Sequence, residues 1–384
     1  MKLIFRTFFL GIFLIPFYFF RSGMPQFSHF LILLSFLFLI FKDGKYRRIE
    51  TTFIEYEFLL IFILWALIIG FIFFSKYGDF KTIVSPFYFL FNFIVMYMTA
   101  RLYVFNRQKF INYVFNVLFY SVILLFLIDF FNLESLFHSG KSFYRKVLTF
   151  NNPNQLGYWT LSTATIFFIL RTQIVRSKTN NLKFFISIVI LIYLSMISLS
   201  KASSIAILIL LILNSLKSYK FVVLAIIAGY LFYLPLVNSE QDNFIKRFDK
   251  RLNDIGDAND DNLEGRGYLR IVKYPNYIFF GAGEGATEVR FNTPMEMHSS
   301  FGTILFSYGI IGLFIFSLFL FYVFKYNPSK FLTILTPILL YSIAHMGLRF
   351  TFFWFAIGLF IIVFKMDKYY KIKVEKWYLK NYEQ

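Results

Sequence analysis

Phe301-Gly-Thr-Ile-Leu-Phe-Ser-Tyr-Gly-Ile-Ile-Gly-Leu-Phe-Ile-Phe-Ser-Leu-Phe-Leu-Phe-Tyr-Val-Phe324 contains no charged side chain. A run of this length and character supplies the ~20 apolar residues that an α-helix needs to cross a bilayer. It lacks the two-residue alternation of a membrane-barrel strand. Comparable stretches fall at 3–20, 27–41, 53–74, 83–105, 110–131, 156–174, 182–199, 202–216, 221–237, 331–347 and 350–364. Over such lengths in lipid, helices alone satisfy their own backbone hydrogen bonds. The expected fold is all-α, a polytopic membrane helix bundle of about 12 transmembrane helices, forming a single domain over residues 1–384.

Composition agrees. The chain is 58% hydrophobic and only 16% charged, with a mean hydropathy of +0.63. A soluble domain carries about 25% charged residues and could not hide this much apolar surface. The net charge of +18 raises the question of nucleic acid. Nucleic-acid binders gather their cations on a solvated face, whereas here they sit in short breaks between apolar runs. That distribution belongs to topology-setting charges. There is no cysteine, which excludes a disulfide framework, a thiol nucleophile and a Cys-based metal site. The N-terminal run after Lys2 and Arg6 offers no small-residue cleavage site near Phe17 to Arg21, so a retained first helix is expected.

With the N-terminus inside, 23 basic residues fall on the inner side and 8 on the outer side, leaving aside residues 238–300. The outer set is Arg21, Lys76, Lys81, Lys141, Arg145, Lys146, Lys201 and Arg349. This asymmetry places both termini in the cytoplasm. It also places the long hydrophilic loop 238–300, between the ninth and tenth helices, outside. Eleven of the 21 acidic residues lie in that loop. The helices are almost free of carboxylates, Asp129 being the main exception. An ion-coupled carrier keeps such groups near the bilayer midplane, so the pattern speaks against one.

Few side chains offer chemistry. The carboxylates from Asp254 to Glu264 miss the alternating spacing of an EF-hand and read as a solvated acidic loop. Gly281-Ala-Gly283-Glu-Gly285 follows no predicted strand, so it reads as turn-forming glycines near the membrane surface rather than a dinucleotide cradle. His29, His138 and His345 read as structural. His298 differs, because it sits where the long loop meets the next helix, beside Ser299 and Ser300. An imidazole there can accept a proton near neutral pH. Arg145, Lys146, Lys201, Arg266 and Arg270 are outer cations that suit a phosphate-bearing ligand or, more plainly, headgroups and solvent. Arginine presents a planar donor fork to phosphate oxygens.

Four segments carry a likeness. They are Phe150-Asn-Asn-Pro-Asn154-Gln-Leu-Gly157, Leu199-Ser-Lys201-Ala202, Arg266 with the glycines 281, 283 and 285, and His298-Ser299 followed by Gly309-Ile-Ile-Gly312. In this order the chain resembles the O-antigen polymerase and O-antigen ligase superfamily of bacterial membrane glycosyltransferases. The resemblance implies an enzyme of the bacterial plasma membrane, working at its outer face on sugar chains linked to undecaprenyl diphosphate. It implies that His298 activates an acceptor hydroxyl and that Arg266 holds the diphosphate. Arg270, Arg145, Lys201 and Asn154 would serve in substrate binding. Lys201 stands where the family has arginine; it keeps the charge but loses the fork. No metal and no cofactor are implied, and a chain-length regulator is a further partner the family allows. If the histidine only positions the acceptor, Glu284 or Glu296 is the next candidate base. The reading taken forward is an inverting polymerase of surface polysaccharide, O-antigen or capsule. Ligase-type transfer to another acceptor, or a flippase for lipid-linked oligosaccharide, is the alternative.

Overall fold

A computed structural model describes residues 1–21, 23–42, 54–137, 145–215, 267–285, 291 and 297–382. Among these the chain is all-α, with no strand. The principal helices are α1 (Lys2–Leu14), α2 (Phe27–Lys42), α3 (Ile54–Tyr77), α4 (Lys81–Phe105), α5 (Arg107–Phe130) and α6 (Pro153–Arg171). They continue with α7 (Lys178–Ile197), α8 (Lys201–Ser215), the short α9 (Leu269–Lys273), α10 (Ser300–Tyr326), α11 (Thr336–Ala344) and α12 (Thr351–Tyr382). Five of them, α3, α4, α5, α7 and α10, are long and apolar enough to cross a membrane. The expected span 221–237, much of the loop 238–300, His138 and Arg266 lie outside the described residues.

Helix boundaries follow local chemistry. α1 stops at Leu14 rather than near residue 20, because Pro16 has no N–H to continue the ladder. α6 starts at the Asn-Pro-Asn run: Asn152 caps it by accepting from the Asn154 N–H at 2.8 Å, and Pro153 occupies the first turn. Ser299 caps α10 by accepting from the Gly302 N–H at 3.1 Å. The expected helix 331–347 is divided into a π-helical turn, Phe331–Leu335, and α11. α12 runs on past residue 364 to Tyr382.

Packing separates the helices into two kinds. α3 buries Leu59, Phe62, Ile63, Ala66, Ile69 and Phe73, while Ile61, Leu64, Ile68 and Phe71 remain exposed at helical spacing. Such a continuous apolar stripe belongs against lipid. α6 from Leu156 to Leu170 and α12 from Thr351 to Phe364 are instead buried on every side. These two pack on each other at the centre, with α4 against α12 and with α7 and α8 against α6. α10 packs on α3, and α1 on α2. One end of the bundle is tied by polar contacts: Arg107 to Asp367 at 2.9 Å, Gln173 to Asp367 at 2.7 Å, and Tyr326 to Glu55 at 2.5 Å. Glu55, fully buried there, also pairs with Lys365 at 3.4 Å.

The helix expected at 301–324 is broken. Gly309 sits at φ +72°, ψ −177° inside α10, a conformation open to glycine and costly for any other residue. The segment before it in the long loop fills the break. Ala282 N–H donates to Phe306 O at 2.8 Å, Gly283 N–H to Ser307 O at 2.9 Å, and Ile310 N–H to Ile278 O at 2.8 Å. Backbone groups released by the break are thereby satisfied. The two segments approach so closely that a Cβ on Gly309 would lie 2.2 Å from Phe279 O. The glycines expected to form turns near the membrane surface do so with positive φ, packed into the break in α10. This part of the loop runs along α3, from Phe73 beside Gly283 to Trp65 beside Phe280.

Gly309→Ala should accordingly lower the thermal stability of the detergent-solubilised protein well beyond Gly78→Ala. Gly78 has a similar φ of +69°, but a methyl group there would meet nothing within 4 Å. Its substitution should cost only the left-handed strain, about 1–2 kcal/mol. Equal melting temperatures for the two variants would show that the break is not held by the Phe279 contact.

Candidate functional site

The broken helix positions a carboxylate. Glu284, directly after the bridged glycine, is 4% exposed. Its Oε2 accepts from the Tyr308 hydroxyl at 2.8 Å, and Tyr308 is the residue before the break. Oε1 accepts from Arg349 Nε at 2.9 Å and also from Arg349 Nη2. The arginine, just before α12, is thus held along one edge by a buried acid whose other oxygen is itself held. Arg270, on α9 and buried, lines the same small recess as Glu284 and Arg349.

On its other side Arg349 lines a cleft of about 420 Å³. His298, exposed at the start of α10, lines it too, as do Asn152, Asn154 and Gln155 from the start of α6. The remaining polar walls are Tyr18 and Gln26 between α1 and α2, His29 on α2, Tyr88 on α4, Tyr158 on α6, Tyr341 on α11, His345, and Thr351 at the start of α12. Tyr158 stacks on Tyr341 with ring centroids 4.4 Å apart, and Tyr341 stacks on His345 at 4.9 Å.

The walls are tied together by backbone contacts. Gln26, buried, accepts from the Phe19 and Phe20 N–H groups at 3.0 and 2.9 Å and donates to Phe20 O at 3.1 Å. Tyr88 donates to Gly23 O at 2.7 Å. Tyr18 N–H donates to Thr149 O at 3.0 Å, joining the α1–α2 connection to the segment before α6. Ser300 Oγ donates to His345 O at 3.1 Å and accepts from the Gly347 N–H at 2.8 Å. That pair fixes the start of α10 against the 345–349 segment.

The residues predicted from sequence fall into four groups. His298 and Asn154 line the same cleft. Arg145 stands behind it: its Nε donates to Ser198 O at 2.9 Å and its Nη2 to Asn154 Oδ1 at 2.7 Å. It therefore orients Asn154 and joins the α6 start to the α7–α8 turn. Lys201, the first residue of α8, and Arg270 are not among the cleft-lining residues. Arg266 lies outside the described residues, yet Gly267 beside it lies close to Met297, beside His298: a Cβ added at Gly267 would come 3.3 Å from Met297 Cα.

Two of the four sequence segments are physically joined as well. Gly157 lies where a Cβ would come 2.5 Å from Ser203 Oγ and 2.8 Å from Ser200 Cβ. The glycine of the first segment thus admits the small residues around the second. Sequence reasoning missed Arg349, His345 and His29 as members of the cleft. Arg349 was visible as one of the few outer cations; the two histidines, read singly as structural, gave no signal of their meeting. Glu284, weighed as a base, instead holds Arg349. Among the described residues no group of three or more histidines, aspartates or glutamates is arranged to hold a metal ion.

No protein-family model matches the chain, and a search of curated proteins finds no match.

Proposed function

We propose that this chain is a polymerase of surface polysaccharide, acting as an inverting glycosyltransferase at the outer face of a bacterial plasma membrane. The observation that supports the reading is the shared cleft of His298, Asn154 and Arg349, in which an imidazole, a carboxamide and a guanidinium stand among phenols and further carboxamides. The donor is a sugar chain on undecaprenyl diphosphate, and the acceptor is a second lipid-linked repeat unit. A hydroxyl of the acceptor attacks the anomeric carbon, and His298 takes the hydroxyl proton. The bond from the anomeric carbon to the diphosphate oxygen breaks, and the electron pair leaves with the diphosphate. Arg266 stabilises that charge, with Arg270 in the recess beside Arg349; Arg145 acts through Asn154, and Lys201 is not among the cleft-lining residues. A diphosphate is a good leaving group, so positioning and electrostatics can supply most of the rate.

In this reading the bundle has about 12 spans, both termini are cytoplasmic, and the loop 238–300 is extracytoplasmic. Reporter fusions at Lys45, Ser177 and Lys217 should read cytoplasmic, and fusions at Gly140 and Asp257 should read outside. A cytoplasmic signal from Asp257 would put the site on the wrong leaflet. The activity itself is tested with purified protein and a synthetic undecaprenyl-diphosphate-linked repeat unit. A ladder of longer lipid-linked chains is expected. Movement of the lipid-linked sugar across vesicles without chain extension would replace the polymerase reading by a flippase.

A further inference from the structure

Among the residues that line the cleft, imidazoles, phenols, carboxamides and apolar groups predominate, and none is a carboxylate or a lysine. Arg349 is the one lining residue, among those described, with a permanent charge. Its placement involves an unusual amount of local structure. A helix is broken at Gly309, a loop is threaded into the break, and a buried carboxylate is hydrogen-bonded by Tyr308. All of this fixes one guanidinium.

Structural need explains the arrangement poorly. A buried ion pair adds little net stability compared with well-packed apolar residues of similar volume. An arginine serving only as a staple would also turn its fork inward. Arg349 instead keeps its side chain 32% exposed and forms part of the cleft wall. A carboxylate on one edge orients the planar fork, and an oriented fork is the group that recognises an oxyanion by paired hydrogen bonds.

The rest of the lining defines what carries that oxyanion. Asn152, Asn154 and Gln155 offer carboxamides, and Tyr18 and Tyr88 offer phenols. The stacked rings of Tyr158, Tyr341 and His345 add flat aromatic surface. Carboxamides and phenols hydrogen-bond hydroxyl groups, and aromatic surface buries the apolar C–H face of a sugar ring.

We infer that Arg349 is an anion-binding residue of this cleft, held by Glu284 and Tyr308, and that its ligand is an oxyanion attached to a saccharide. The oxyanion is either a phosphate oxygen of the lipid diphosphate or the carboxylate of an acidic sugar; the recognition chemistry is the same. The saccharide-lipid identity rests on the function proposed above, whereas the anion subsite rests on the geometry alone.

The test is binding to the purified, detergent-solubilised full chain, measured by calorimetry with three probes. Farnesyl diphosphate stands for the lipid diphosphate, methyl glucuronide for an acidic sugar, and methyl glucoside is the neutral control. Wild-type protein should bind one anionic probe more tightly than the neutral one, and which probe it prefers identifies the source of the oxyanion. Arg349→Gln should weaken that binding roughly 10- to 100-fold, the usual worth of a hydrogen-bonded charged group. Arg349→Lys, which keeps the charge and is the variant to use if the glutamine protein does not fold, should recover only part of it. Glu284→Gln should also weaken binding, because the fork is no longer held in place.

Wild-type protein with no preference for either anion would overturn the inference, as would Arg349→Gln and Arg349→Lys proteins that bind like wild type. Anion binding that depends on Arg349 in a protein that makes no polymer would keep the subsite and remove the polymerase reading. Polymer made by Arg349→Gln protein at wild-type KM would do the reverse.

Discussion

Polymer formation by His298→Ala protein should fall by about 100- to 10,000-fold, the usual contribution of a general base and enough to erase a ladder on a gel. Single lipid-linked repeat units should accumulate instead. The expectation rests on where the imidazole is held. His298 precedes the Ser299 cap of α10, is exposed to the cleft, and follows Met297, which is buried. The neighbouring Ser300 hydroxyl ties this corner to His345 and Gly347. Removing the imidazole leaves those backbone contacts in place, so the variant should fold normally and lose only chemistry. His298→Gln should be similarly poor, because an amide can hydrogen-bond the acceptor hydroxyl but cannot take its proton.

Full activity of His298→Gln would reduce the histidine to a positioning residue. Glu284 would not then be the natural replacement, since both of its oxygens are engaged, by Arg349 and by Tyr308. His345 and His29 share the cleft and would be tested next. The same assay run with a chelator examines metal dependence, and loss of activity there would contradict the metal-free mechanism.

Arg266→Ala should lower chain extension by about 100- to 1,000-fold, the typical cost of removing one donor from the charge that develops in a transition state. Membrane insertion should be unchanged. The adjacent residue, Gly267, lies close to Met297 and so brings this part of the chain to the histidine corner. Arg266→Lys should restore little, because a point charge does not reproduce the fork. Near-normal polymer from the alanine variant would remove Arg266 from the site. Lys201→Arg is the companion substitution. Lys201 begins α8 and is not among the cleft-lining residues, so activity should be unchanged or improved.

Local order was legible wherever it depends on residues close in sequence. The apolar runs mark α3, α4, α5, α7, α8 and α10 to within a few residues, because lipid selects length and hydrophobicity before any tertiary contact exists. The Asn-Pro-Asn run marks the start of α6 for the same reason: a cap and a proline act within one turn. α1 is shorter than its apolar run because that character continues past the proline that stops the helix.

The cleft could not be read in that way. Arg349 looks like any outer cation until Glu284, 65 residues earlier, is found against it. The glycines at 281 and 283 read as turns, and only the structure shows the chain entering the break at Gly309. His29 and His345 come from distant parts of the chain and meet His298 only because α2, α10 and the 345–349 segment reach the same end of the bundle. The sequence by itself determined an all-α membrane protein, through hydrophobic length and capping chemistry, and it singled out His298 and Asn154 as candidates. Which side chains share a cleft, which arginine is held by a buried carboxylate and which helix must break were decided by tertiary structure alone. Those features depend on backbone groups and charges finding partners across helices, and no local pattern of residues encodes such a partner.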